Sequence, residues 1–214
     1  QVLRGVLLHV VVPPGPVDGR ERRADRHGAV DLEPHALGGP PGLGDPNGGG
    51  AFGGEGLGQR PSAFLVNERL LIDGGSVTGA LTVPEQLEIE HALVSHSHLD
   101  HIAGLAYLTD TLASFGSQRP VTLASLEPVV EALRSAVFNN VVWPDFAQIP
   151  EGSPVIKYRA LIEGVEQRLG DLWVTPIPVT HTVPAAGFIL HDGSTGLIYS
   201  GDTVRVRVTT ADGS

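Results

Sequence analysis

Cysteine is absent from the 214 residues. That excludes a disulfide framework and any thiolate metal site, so a transition metal held by this chain would need imidazole and carboxylate ligands. The lack of disulfides also fits a cytoplasmic protein. Methionine is missing too, and the chain starts at Gln1, as a fragment or a processed product would. Basic residues are few, 14 against 24 acids, and the net charge of −10 argues against a broad nucleic-acid surface. A small anionic substrate stays open, because bound cations can dominate the local charge of a site. No apolar run approaches bilayer length, so no membrane-spanning segment is expected. The early run "LRGVLLHVVVPPGP" is too short for a secretory signal and has no small-residue cleavage site behind it. It reads as a strand, or as sequence without structure.

Composition changes near residue 60. Residues 1–60 hold 15 of the 28 glycines and 7 of the 17 prolines, and the stretch Gly38 to Gly58 is too rich in both for a helix or regular strand. Residues 1–60 are therefore expected to be a low-complexity segment, disordered or out-of-frame, and residues 61–214 the folded domain. From Ser62 the pattern is that of a globular protein. "SAFLVNERLLIDGG" is a hairpin signal around Asn67-Glu68, and "TVPEQLEIE" a short helix with Pro84 in its first turn. "HALVS" is a buried-type strand, and "DHIAGLAYLTDTLASFG" a helix ending at Gly116. "VTLAS" is a strand and "LEPVVEALRSAVF" a helix. "VIKYRAL", "LWVTPIPVTH", "AAGFILHD" and "TGLIYSGDT" then read as strands. Strand–helix alternation followed by a run of strands predicts a layered α/β domain.

The chemistry concentrates in "SHSHLDHIAGL". Residues i and i+2 of an extended segment point the same way, so His96 and His98 can converge on one point. Asp100 and His101 follow where the chain turns into a helix, and can face a second point beside the first. Imidazole and carboxylate around two neighbouring points suit two divalent cations, zinc first, with manganese or iron as alternatives. A solvated loop or hydrogen-bonded core histidines would be the bland explanation, and the density of four candidate ligands weighs against it. Local ligands alone leave a site open. His181 in "PVTHTVP" and Asp202 in "YSGDT" stand at the ends of apolar strand-like runs, where functional groups gather on α/β scaffolds. Asp73 in "LLIDGG" is a third acid at a strand end, read as orienting the ligands or as part of an ordinary turn.

"HSHLDH", the later His181, and "SGDT" with Asp202 together resemble the metallo-β-lactamase superfamily. The leucine of His-x-His-Leu-Asp-His, with "LLIDGGSVTGAL", "FNNVVWPDF" and "HTVPAAGFIL", is similar to class II cyclic-nucleotide phosphodiesterases and their bacterial relatives. Ala106 and Tyr107 depart from the stricter class II pattern. The resemblance spans about Ser62 to Thr203. It implies a four-layer αββα sandwich whose C-terminal part is incomplete here. It also implies two metals: His96, His98 and His181 on one, Asp100 and His101 on the other, and Asp202 bridging. A hydroxide between the metals would attack the phosphorus of a 3',5'-cyclic nucleotide such as cyclic AMP, with Asp100 orienting it or handling its proton. The family supplies one further histidine after the Gly-Asp motif. Here twelve residues follow Asp202 and none is histidine, which implies weaker occupancy of the second position. Other hydrolases of the superfamily (an RNA-processing phosphodiesterase, a thioester or lactone hydrolase) and an inactive metal-binding fragment remain alternatives. A homodimer is compatible with the chain.

Weaker features are His91 and His191, expected to be structural, and the loop "FNNVVWPDF", which could line a base or ribose pocket or simply pack. Arg119, Arg134 and Lys157 are candidate phosphate contacts, though single basic residues are usually just solvated.

Overall fold

The hairpin around Asn67-Glu68 shows how the chain organises itself locally. Both residues have positive φ, 54° and 59°, and form the centre of a tight turn closed by the Arg69 N–H donating to Val66 O at 3.3 Å, in a three-residue connection that pairs Val66 with Leu70. The computed structural model describes residues 61–117 and 119–203, and the backbone of two earlier strands, β1 (Leu7–Val11) and β2 (His35–Ala36). The hairpin strands are β3 (Phe64–Val66) and β4 (Leu70–Ile72). A short helix α1 (Val77–Ala80), not expected from the sequence, follows. Then comes α2 (Val83–Leu87), where Glu85 accepts from the Thr82 backbone N–H at 2.7 Å and so caps the first turn.

Next are β5 (His91–Leu93), α3 (Leu99–Ser114), β6 (Val121–Leu126) and α4 (Glu127–Ala132), which runs on as a π-helical turn over Leu133–Val137. The remaining strands are β7 (Ile156–Leu161), β8 (Gln167–Leu169), β9 (Leu172–Pro178), β10 (Ala186–His191) and β11 (Thr195–Tyr199). β8 is too short and polar to announce itself in the sequence.

Two sheets result. One has the order β2-β3-β4-β5-β6-β7, with β4 to β7 parallel; the other is antiparallel with the order β1-β11-β10-β9-β8. Strands β3 to β6 of the six-stranded sheet are buried on both faces, which is why they read as continuous apolar runs. Its outer face packs Leu71, Ala92 and Leu123 against Val77 of α1, Ile102, Leu105, Leu108 and Leu112 of α3, and Val129 of α4. Its inner face packs Ile72, Leu93 and Ala124 against Val174, Phe188, Leu190, Leu197 and Tyr199 of the other sheet. The described residues thus form three layers, α/β/β, of the expected four. No helix among them is long and apolar enough to cross a membrane.

The run around Leu7–Val11 is a strand, at the edge of the antiparallel sheet with Leu7 opposite Tyr199. The Gly/Pro-rich stretch Gly38 to Gly58 and residues 204–214 lie outside the described residues.

Candidate metal centre

Parallel neighbours end at the same side of a sheet, and β4 and β5 end in register at Ile72 and Leu93. The residues that follow are therefore neighbours: Asp73 after β4, and Ser95-His96 after β5. The Asp73 N–H donates to the Leu93 carbonyl at 2.8 Å, and the Ser95 N–H donates to Asp73 Oδ1 at 2.7 Å. Asp73 adopts φ 56°, a left-handed conformation that aspartate tolerates better than most residues.

His98, still extended at φ −69° and ψ 144°, precedes the first residue of α3. The helix start then carries Asp100 and His101 back over the strand ends. Two backbone bonds pin that first turn, Ser62 N–H to Asp100 O (2.8 Å) and Gly74 N–H to His101 O (2.7 Å), and Gly75 N–H to Ser62 O (2.8 Å) ties the two donor segments together.

The antiparallel sheet brings the distant residues. β9 stops at Pro178, so His181 sits in the loop before β10, not on a strand as its apolar approach suggests. The Ala186 N–H donates to Ser95 O at 2.8 Å, and Ala185 bridges His96, docking that loop on the histidine segment. β11 ends at Tyr199 and delivers Asp202 through Gly201.

All seven residues singled out from the sequence meet here. His96 Nε2 lies 3.0 Å from His98 Nδ1, and His181 Nε2 lies 3.1 Å from the same atom. His101 Nε2 lies 3.6 Å from Asp202 Oδ1 and 3.8 Å from Asp100 Oδ2. His96, His98 and His181 form one group, and His96, His101 and Asp202 a second, with the donor atoms of each group within 4.8 Å of one another. Asp73 lies beneath, with Oδ2 accepting from His101 Nδ1 at 2.7 Å.

These donors fit a divalent cation. A zinc at about 2.0 Å from tetrahedral nitrogens sets them about 3.3 Å apart, close to the separations around His98. Three imidazole nitrogens converging on one place also cannot all be satisfied by one another: each donor–acceptor pair leaves the third nitrogen facing its own kind. His98, His181 and Asp100 are partly exposed, whereas His96, His101 and Asp73 are buried, so the centre opens to solvent on one side.

Electrostatics follow from that burial. Burial, aided by the neighbouring His101, pushes the His96 imidazole down to about 3, which keeps it neutral and able to act as a ligand. Burial also lowers His181. Burial alone would raise the Asp73 carboxyl, but the charge of His101 and hydrogen bonds from His101, Tyr199 and the Ser95 N–H together hold it below the ordinary range. Burial alone would lower His101, and Asp73 overrides it and raises the imidazole.

Sequence reading missed three residues of this centre: Ser95, Tyr199 and Ser62. The available signal for Tyr199 was a tyrosine at an inward position of an apolar strand, whose hydroxyl must find a partner.

The weaker candidates lie elsewhere. His91 begins β5, at the opposite end from His96, and His191 pairs with Glu166 at 2.7 Å. The loop Phe138 to Phe146 also belongs to that opposite end, since Phe146 O accepts from the first residue of β7; its Trp143 packs edge-on against Tyr107. That contact packs the loop against α3. Arg119 pairs with Glu90 at 2.8 Å, and Arg134 pairs with Glu131 and covers the Tyr158 ring. Lys157 stands at the start of β7. None of the three basic residues faces the histidines.

Residues 56–214 match the family model described as the metallo-beta-lactamase superfamily. A 3',5'-cyclic-nucleotide phosphodiesterase of Schizosaccharomyces pombe is 32% identical over 121 residues, 56% of this chain and 33% of the relative. One of Aliivibrio fischeri is 27% identical over 176 residues, 66% of this chain and 52% of the relative. The chain therefore spans between a third and about half of these relatives' length. The crystal structure of unliganded yeast PDE1 superposes with a TM-score of 0.54 at 18% identity, over 65% of this chain and 59% of that one, a likeness of fold.

Proposed function

The chain belongs to the metallo-beta-lactamase superfamily, and from that premise we propose that it serves a metal-dependent phosphodiesterase acting on 3',5'-cyclic nucleotides. The observation that carries the proposal is the convergence of four histidines and two carboxylates, His96, His98, His101, His181, Asp100 and Asp202, in one partly exposed cluster. The names of the relatives from Schizosaccharomyces pombe and Aliivibrio fischeri support the substrate class.

In this reading His96, His98 and His181 would hold one divalent ion, and Asp100, His101 and Asp202 would help to hold a second. Zinc suits the donor set best, with manganese or iron as alternatives. Ions bound there supply Lewis acidity and lower the pKa of water. The protein's own part is positional. His96 and His101 are buried and fixed from below, so their Nε2 atoms stay in place without reorganisation. Asp100, partly exposed, would orient the attacking water or handle its proton.

The test is hydrolysis of cyclic AMP by purified protein with added zinc or manganese, compared with Asp100→Ala. Turnover that depends on metal and is abolished by the substitution supports the proposal. Cleavage of a generic linear phosphodiester with no turnover of cyclic nucleotides would sink the substrate claim and leave another hydrolase of the superfamily.

A further inference from the structure

β7 is the last strand of the six-stranded sheet, and among the described residues no strand pairs with its outer edge. Two contacts at its start show which groups that edge offers. The Val155 carbonyl accepts from the Val121 N–H of β6 at 2.9 Å, whereas the Ile156 N–H points the other way and donates to Phe146 O at 3.2 Å. Backbone groups alternate between the two sides of a strand. Those of Lys157 and Arg159 therefore face β6, and the N–H and C=O groups of Tyr158 and Ala160 face outwards. Among the described residues no hydrogen-bond partner meets these four groups, and Ala160 is exposed. The side chains alternate too. Ile156 and Tyr158 pack towards the helices, so Lys157 and Arg159 project together from the opposite face. Arg69, Arg119, Arg134 and Arg168 each pair with a carboxylate, whereas Lys157 and Arg159 make no ion pair among the described residues. In a chain with 24 acids and 14 bases, that is not for want of acids.

We infer that the free edge of β7 is a docking site for an extended, acidic segment of a partner protein, which adds to the sheet as a further strand. A strand beside β7 lies about 4.8 Å away. It takes up the Tyr158 and Ala160 backbone groups in main-chain hydrogen bonds and sets its own alternating side chains opposite those of β7. Carboxylates on one face meet Lys157 and Arg159, and apolar side chains on the other meet the Tyr158 ring and Ala160. The complementary sequence therefore alternates acidic and apolar residues. The same two cations exclude a second copy of this chain. Antiparallel pairing of two β7 strands about Tyr158 sets Lys157 opposite Arg159, and like charges so placed repel. The site does not depend on the metal centre or on the activity proposed for it.

The probe is a short labelled peptide alternating glutamate and valine, with a lysine–valine peptide as its control, both added to the full chain. Fluorescence anisotropy reads binding, and amide hydrogen exchange by NMR reads where it occurs. In the free protein the Tyr158 and Ala160 amides exchange fast, and those of Lys157 and Arg159, bonded to β6, exchange slowly. The glutamate peptide binds and slows exchange at Tyr158 and Ala160 by about tenfold or more. Reversing both charges, Lys157→Glu with Arg159→Glu, weakens that peptide about tenfold or more and admits the lysine peptide instead. Ala160→Pro removes an outward N–H, leaves the bonds to β6, and abolishes binding; if it does not fold, the charge reversal on the surface carries the test. No binding of the glutamate peptide, equal binding of the lysine peptide, or full affinity in either folded variant overturns the inference. So does binding that leaves the Tyr158 and Ala160 amides unprotected, which is charge attraction without an added strand. Protection that grows with protein concentration alone would assign the edge to a second copy and overturn it as well.

Discussion

Gly75 and the carbonyl oxygen of Asp100 are in such close contact that a Cβ on residue 75 would lie 2.0 Å from that oxygen. The oxygen belongs to backbone, at the start of the helix that carries His101, so it cannot rotate away. Gly75→Ala must therefore displace the first turn of α3. We expect a stability loss of about 1–3 kcal/mol, in the range of overpacked sites, together with reduced metal content. Denaturant unfolding and metal analysis of the purified variant check both; native stability with full metal content would contradict the packing argument.

Asp73 and His101 form a buried pair at 2.7 Å, and removing one partner of such a pair strands the other. Asp73→Asn replaces an acceptor oxygen by an NH2 group that faces donors. The expected cost is about 3–5 kcal/mol of stability and a 10- to 100-fold weaker hold on metal. Thermal melting with and without zinc separates the two losses. A variant that melts like wild type would remove Asp73 from its orienting role.

Metal should stabilise the fold, because the donor groups draw on the segment after β5, the start of α3, the β9–β10 loop and the segment after β11. Binding at 100 times the dissociation constant adds about 2.7 kcal/mol, so zinc should raise the melting temperature and a chelator lower it. His181 is partly exposed in a loop. His181→Ala should leave metal-free stability within about 0.5 kcal/mol and abolish most of the zinc-induced rise. A zinc shift equal to wild type would exclude His181 as a ligand.

His91 offers a pH prediction away from the metal centre. Burial lowers its imidazole from the ordinary 6.5, and Gly170 packs so close that a Cβ there would meet its Nε2 at 2.8 Å. The folded state resists a proton that the unfolded chain accepts. Stability therefore falls as pH drops below 6.5, and that loss levels off below the folded pKa. His91→Gln removes this contribution. Urea unfolding from pH 7.5 down to 5 should show a shallower decline in the variant than in wild type; parallel curves would disprove the assignment.

Much of this protein is written locally. The turn at Asn67-Glu68, the helix from Leu99 to Ser114 and the spacing of His96 and His98 depend on periodicity and on a few adjacent residues, and all are legible in the chain. The absence of cysteine restricts any metal chemistry to imidazole and carboxylate before any fold is known. Position across the fold is not local. Arg119 carries a suitable group for a substrate pocket, but the parallel order of β5 and β6 places it, just before β6, at the far end of the strands from His96. Nor does anything in "TGLIYSGDT" or "SAFLV" reveal that Tyr199 and Ser62 meet over Asp73. Those contacts join residues more than a hundred positions apart, and they exist because two sheets pack face to face and dry the space between them. Short-range chemistry named the candidate ligands; only the packed interior decided which buried groups hold them.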